Sequence, residues 1–225
     1  MRRKIRKILF SYSYIFGNSF SELLIRIGFL IKSSIWNKRI EVPWFVDRKE
    51  MYSFIVPQFN LDENEIVYLE FGVSKGWGFH FWYNTNKNQK SKFYGFDTFN
   101  GIPEDWGSVK KGAYSANGQV PEVKDHRCKF IVGLFQDSLA DFIKNHSLKN
   151  QLVILLDADL YNATLFVMIN IFPYLKKGDI IIFDEFFSVS KADHELRAFL
   201  DFISLYNLSY SAIAKTNNQI TIKVN

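Results

Sequence analysis

Cysteine is almost missing from this chain. Its 225 residues hold one, Cys128, which excludes an intrachain disulfide framework and a cysteine-based zinc site. One thiol fits a reducing compartment, so the expectation is a cytoplasmic protein. Internal repeats and low-complexity tracts are missing too. At this length the chain is one domain with at most an appendage. No apolar run is long enough to cross a bilayer. The arm RRKIRKILFSYSYIF has the charged start and short apolar stretch of a signal peptide, but it lacks a small-residue cleavage site and contains Ser11 and Ser13. The next apolar stretch, ELLIRIGFLIK, contains Arg26 and is too short to span. The body also lacks excess positive charge. Residues 1–32 hold seven Lys/Arg against one Glu, and the other 193 hold 21 against 22 acids. A basic nucleic-acid surface across the core is therefore not supported. Finally, the dinucleotide fingerprint G-x-G-x-x-G is missing: it would need Gly at 72, 74 and 77, where the chain has Gly72, Ser74 and Trp77. That argues against a dehydrogenase.

What is present is apolar and aromatic. Hydrophobic residues make up 48% and aromatics 17%, enough for a sizeable core. Residues 152–187 organise the rest. LVILL reads as a strand buried on both faces. Asn162 to Leu175 follows with apolar residues near helical period, closed by Lys176, Lys177 and Gly178. Asp179 then leads into IIIF, a second buried strand. A strand, helix and strand of this length make a right-handed crossover between parallel strands.

The same alternation runs through the chain. Residues 1–32 read as one or two helices, 33–47 as irregular, and 48–57 as a short helix ended before Pro57. Strands follow at 66–72, 92–97 and 129–135, with helices at 76–83 and 137–145. Residues 98–128 form a long Gly- and Pro-bearing loop, the kind that serves as a functional lid. A helix over Asp193 to Tyr206 precedes LSYSAIA and QITIKV, joined by Asn217-Asn218. The expected fold is a doubly wound, mostly parallel seven-stranded α/β sheet closed by an antiparallel hairpin at one edge.

The strand ends carry acid. Glu70 ends the first, Asp97 the second, Asp157 the fourth, and Asp184-Glu185 the fifth; Asp159 lies just past Asp157. Parallel neighbours lie about 4.8 Å apart, so Asp157 and Asp184 should meet at the carboxyl edge, where open α/β sheets bind ligands. Converging carboxylates need protons, donors or a cation. An oxygen-only set suits Mg²⁺ or another hard divalent cation. Asp97 stands in the ribose-binding position of this topology, and Gln136, Asp137 and Ser138 are placed to meet a base. Each acid also has a plain structural reading: Glu70 as a buried paired acid, Asp97 as a turn residue, Asp137 and Asp159 as helix caps.

The blocks YLEFGVSKGWGFHFW, FYGFDTFNGIPEDW, VGLFQDSL, LLDADLYNATLFVMINIFPYLKKGDIIIFDEF and HELRAFLDF resemble the macrocin O-methyltransferase family over roughly residues 60–205. The resemblance implies a class I, Rossmann-like fold and a metal-assisted transfer of a methyl group from S-adenosylmethionine to a sugar hydroxyl. It implies that Glu70, Gly72, Ser74 and Gly76 shape the methionine pocket, with Asp157 on its border. Asp97 and Thr98 would serve the ribose, and Asp137 and Ser138 would lie by the adenine. Asp157, Asp184 and Glu185 would hold Mg²⁺. Related catechol-type enzymes use a Lys soon after the first metal Asp, and here none follows Asp157. Asp159 is the first candidate for the base and His194 the second. Residues 51–225 form the implied methyltransferase domain and residues 1–50 a basic helical appendage.

Other roles stay open on this reading. The acceptor could be a phenolic or other small hydroxyl; Tyr114, Asn117 and Gln119 could instead bond a polyol, and Trp106 could stack on a sugar face. The domain could be a non-catalytic, membrane-docked relative. The appendage could cap the active site, mediate a homo-oligomer, or dock residues 1–32 peripherally at the inner face of a cell envelope, where surface polysaccharide is built.

Overall fold

The computed structural model describes residues 18–105, 109–188 and 193–225. Helix α1 spans Asn18–Arg39 and α2 spans Arg48–Gln58. The alternation then follows: β1 (Ile66–Phe71), α3 (Trp77–Thr85), β2 (Lys92–Asp97), β3 (Cys128–Val132), α4 (Phe135–Asn145), β4 (Gln151–Leu156) and α5 (Tyr161–Ile171). It closes with β5 (Ile180–Phe183), α6 (Glu195–Leu205), β6 (Tyr210–Lys215) and β7 (Ile220–Val224). The seven strands form one sheet in the order β3-β2-β1-β4-β5-β7-β6.

All pairs are parallel except β5–β7 and β6–β7. The reversed strand is therefore not at the edge, as the hairpin alone suggests. β7 inserts between β5 and β6, and β6 takes the edge running with the parallel strands. Ile220, Thr221, Ile222 and Val224 are buried, which is the physical reason β7 lies inside.

Period-two alternation divides the core. Val67, Leu69 and Phe71 face one layer with Leu152, Ile154 and Leu156, covered by Phe142, Val167, Phe199 and Phe202 of α4–α6. Ile66 and Tyr68 face the other with Val153 and Leu155, covered by Tyr52 and Ile55 of α2 and by Phe79 and Trp82 of α3. Strands buried on both faces need apolar residues at every position, and β1 is buried throughout.

Several boundaries differ from the expected ones. α1 runs through residues 33–39, which lack glycine and proline. Trp36 explains the extension: its ring packs 5.9 Å from both Phe186 and Phe199. α2 continues past Pro57 to Gln58; proline in a last turn forfeits one hydrogen bond only. Asp47 caps α2 by accepting from Glu50 N at 2.9 Å. α4 begins at Phe135, two residues early, because Gly133 (φ +141°) ends β3. α5 stops at Ile171 and tightens to a 3₁₀ turn over Phe172–Tyr174, since Pro173 has no N–H to continue the α-helical ladder.

Candidate active site

Strand order reverses between β1 and β4, and ligands of open α/β sheets bind outside the carboxyl ends at such a point. A cleft of about 760 Å³ opens there. Its floor depends on one glycine. Gly72 follows β1 at φ +98°, and a Cβ there would stand 1.8 Å from the Asp157 carbonyl oxygen. Only glycine lets β1 and β4 run on side by side, with Asp157 N donating to Phe71 O at 2.9 Å.

Asp97 ends β2 and ties two loops together. Its Oδ2 accepts from Ser74 N at 2.6 Å and its Oδ1 from Phe99 N at 2.7 Å. Ser74, Asp97 and Thr98 all line the cleft. Gly76 heads α3 at φ +80° and is not among the lining residues. Past β3, the lining is Gly133, Leu134, Phe135 and Gln136. Asp137 and Ser138 do not reach it: the early start of α4 draws them into its first turn, where Ser138 Oγ donates to Leu134 O at 2.9 Å.

The acids gather at β4 and β5. Leu156 pairs with Phe183, so Asp157 and Asp184 form the next rung. Asp157 Oδ2 and Asp184 Oδ1 stand 3.9 and 3.7 Å from the same Arg48 Nη1. Arg48 comes from the first turn of α2 and lies over the Trp77 ring, 4.3 Å from its centre. Gln219, in the β6–β7 turn, donates to Asp184 Oδ1. Asp159 and Glu185 also line the cleft, Asp159 at φ +60°.

One guanidinium cannot neutralise so many carboxylates. Glu70 is 2% exposed and accepts from Tyr68 Oη at 2.5 Å. Burial drives its carboxyl up to about 8, against the pull of the Tyr68 bond and Arg48. Burial, then repulsion from Asp184 and Asp159, raises the Asp157 carboxyl well above its usual range. Glu195 is wholly buried at the start of α6, and burial and Asp184 raise it likewise. Its Oε2 accepts from Glu185 N at 2.8 Å. Glu195 Oε1, Glu185 Oε2 and Tyr52 Oη are buried without a hydrogen-bond partner among the described residues.

His194 caps α6 beside the acids but is not among the lining residues; its Nδ1 accepts from Tyr161 N at 3.3 Å. Of the residues proposed to meet an acceptor, Tyr114 lines the cleft, Asn117 and Gln119 do not, and Trp106 lies outside the described residues.

Residues 69–186, just over half of the chain, match a family of methyltransferase domains. The chain belongs to that family. No curated protein matches it. Among solved structures, the methyltransferase resembles CalS11, a calicheamicin methyltransferase, at 18% identity over 92% of this chain and 93% of that one, TM-score 0.59. It resembles the O-methyltransferase NovP at 18% identity over 75% and 74%, TM-score 0.55. An O-methyltransferase from Bacillus cereus, solved with S-adenosylhomocysteine, aligns at 14% identity over 97% and 96%, TM-score 0.54. At these identities the likeness establishes the fold, the seven-stranded class I methyltransferase sheet.

Arg48, Tyr52, Glu195 and Gln219, which surround the acids, escaped the sequence reading. Arg48 and Tyr52 sit four apart on one face of a helix whose packing partner was not legible. Glu195 did leave a signal: it stands at i−3, i−4 and i−7 from Ala198, Phe199 and Phe202, an acid at the head of an apolar stripe. Gln219 left none, being an ordinary turn residue until the sheet order is known.

Proposed function

We propose that the chain is an S-adenosylmethionine-dependent O-methyltransferase of the macrocin type, acting on a hydroxyl of a sugar or glycan. The observation that carries it is the pairing of the Gly72–Asp97 cleft with the Asp157–Asp184 rung, one able to hold a nucleoside and the other an acceptor. Each Asp97 oxygen takes one backbone N–H and keeps a lone pair for a ribose hydroxyl. Gly133 to Gln136 would flank the base. Bound S-adenosylmethionine would supply an electrophilic methyl group. The acceptor hydroxyl must lose its proton, and a carboxylate whose pKa is raised toward the working pH is the stronger base. Asp159, which borders this edge, is the first candidate to take that proton; Asp157, raised by burial and its acidic neighbours, is a base only while no cation is bound to it. Of the relatives, a CalS11 structure is described as TDP-rhamnose 3'-O-methyltransferase, which favours a sugar acceptor. Methyl transfer is assigned to residues 51–225, with Arg48 as the contribution of residues 1–50 to the cleft.

The proposal includes a hard divalent cation, Mg²⁺ or its like, on Asp157, Asp184 and Glu185. Its support is the donor chemistry: oxygens only, more negative charge than Arg48 offsets, and a buried Glu185 Oε2 with no hydrogen-bond partner among the described residues. As arranged, no group of three His, Cys, Asp or Glu among the described residues is set to hold a metal ion. Arg48 stands where the cation would go and must turn aside. When bound, such an ion would lower the acceptor's pKa and orient it. Arg48→Ala is expected to make the thermal midpoint of the protein more responsive to Mg²⁺ than wild type. Midpoints of both proteins that ignore Mg²⁺ would leave Arg48 as the resident cation and end the metal reading.

Calorimetry with S-adenosylhomocysteine tests the cofactor. Wild type should bind, and Asp97→Asn should bind about tenfold more weakly, because one of two accepting carboxylate oxygens becomes an amide nitrogen that only donates. Folded wild type that gives no heat would sink the proposal. Trp77 and Tyr114 line the cleft with exposed rings, which suit a phenol as well as a sugar face. A panel in which phenols outcompete nucleotide sugars would move the acceptor class.

A further inference from the structure

α1 has two apolar faces, and the body covers one. On the inner side Ser33 is buried, Trp36 packs against Phe186 and Phe199, and Phe29 lies 5.7 Å from the Arg197 guanidinium. On the outer side Leu23, Leu24, Ile27, Ile31 and Ile35 are each 41–56% exposed. Their spacing of 1, 4, 8 and 12 from Leu23 puts them on one stripe of the helix. Singly exposed apolar residues are ordinary; five together on one helix face mark a contact surface.

The charge around the stripe selects its occupant. Residues 1–39 hold nine Lys/Arg and one acid, Glu22, and five of the nine fall at Arg2, Arg3, Lys4, Arg6 and Lys7. A second copy of the chain would set like charge against like charge. A lipid surface carrying anionic headgroups would meet the cations and receive the apolar stripe. No helix among the described residues is long and apolar enough to cross a membrane, and α1 already spends its inner face on the protein.

We propose that α1 lies in the plane of an anionic lipid surface, with its outer stripe in the acyl boundary, and that the basic sequence of residues 2–7 adds to its attraction for anionic headgroups. The proposal is independent of the methyl-transfer reading. The test is co-sedimentation of the full chain with vesicles of phosphatidylglycerol and phosphatidylcholine, against phosphatidylcholine alone. The protein should bind the anionic vesicles and be largely released by high salt. Leu24→Ser, Ile27→Ser and Ile31→Ser together should weaken binding at least about tenfold. Glutamine at the five basic positions of residues 2–7 should weaken it at least as much. Circular dichroism melts check that the body stays folded, and the charge variant carries the test alone if the triple change unfolds α1. Failure to bind, or equal binding to neutral vesicles, would overturn the proposal. A dimer in sedimentation equilibrium that the triple change abolishes, with no vesicle binding, would assign the stripe to a second copy instead.

Discussion

Gly72→Ala should unfold this protein at a markedly lower urea concentration than wild type, and Gly178→Ala should lower it by much less. The two glycines have nearly the same positive φ, +98° and +95°. They differ in their surroundings. A Cβ at Gly178 meets nothing within 4 Å, whereas one at Gly72 falls 1.8 Å from Asp157 O. The left-handed backbone costs an L-residue about 1–2 kcal/mol at either site. The clash adds about 1–3 kcal/mol or more at Gly72, because the atom struck is backbone of the neighbouring central strand and cannot swing away. The sum is a large share of an ordinary domain's stability of roughly 5–15 kcal/mol. Equal urea midpoints for the two variants would show that the strands can part at Asp157, and the rigid cleft floor would have to be given up.

Glu70→Gln should flatten the dependence of stability on pH. Burial raises Glu70 from 4.5 to about 8 in the folded protein. Below 4.5 both folded and unfolded chains hold the proton. Between there and 8 the folded chain keeps it and the unfolded chain has lost it. Unfolding then releases a proton, so stability falls as pH rises through this window and levels off above it. At roughly 1.4 kcal/mol per unit, the window is worth on the order of 4–5 kcal/mol. Glutamine keeps the Tyr68 hydrogen bond and does not ionise. Asp157 and Glu195 are shifted chiefly by other causes, with Glu70 the smallest contributor at Asp157, so the difference between two urea series from pH 5 to 8.5 reports mainly Glu70. Parallel curves would mean that Glu70 is ionised when folded.

The strand ends were legible because a buried parallel strand is a short apolar run, and an acid that closes one is conspicuous. That puts Glu70, Asp97, Asp157 and Asp184 on one edge from the sequence alone. The pairing of Asp157 with Asp184 followed from adjacency alone. What the sequence concealed depended on docking. Arg48 belongs to a short helix outside the alternation, and nothing in R-K-E-M-Y says which strand ends it covers. Gln219 meets Asp184 only because β7 lies next to β5. Glycine and proline misled where the fold tolerates them, as at Pro57, and were decisive where they end a hydrogen-bond ladder, as at Gly133 and Pro173.

The closing hairpin also sets the order in which the chain can be assembled. Lys215 O accepts from Phe45 N at 2.9 Å, Lys215 N donates to Pro43 O at 3.0 Å, and Lys215 Nζ reaches Asn37 and Ile40. Asn37 and Ile40 lie 178 and 175 positions from Lys215 in the sequence. Contacts of such separation form late in folding. During synthesis α1 leaves the ribosome before any strand of the sheet, yet the strand that anchors it is the sixth of seven. Until that strand is made α1 shows both apolar faces, and its inner face waits for Phe186, Phe199 and Lys215. A helix made ahead of the whole sheet is among the last elements to be placed.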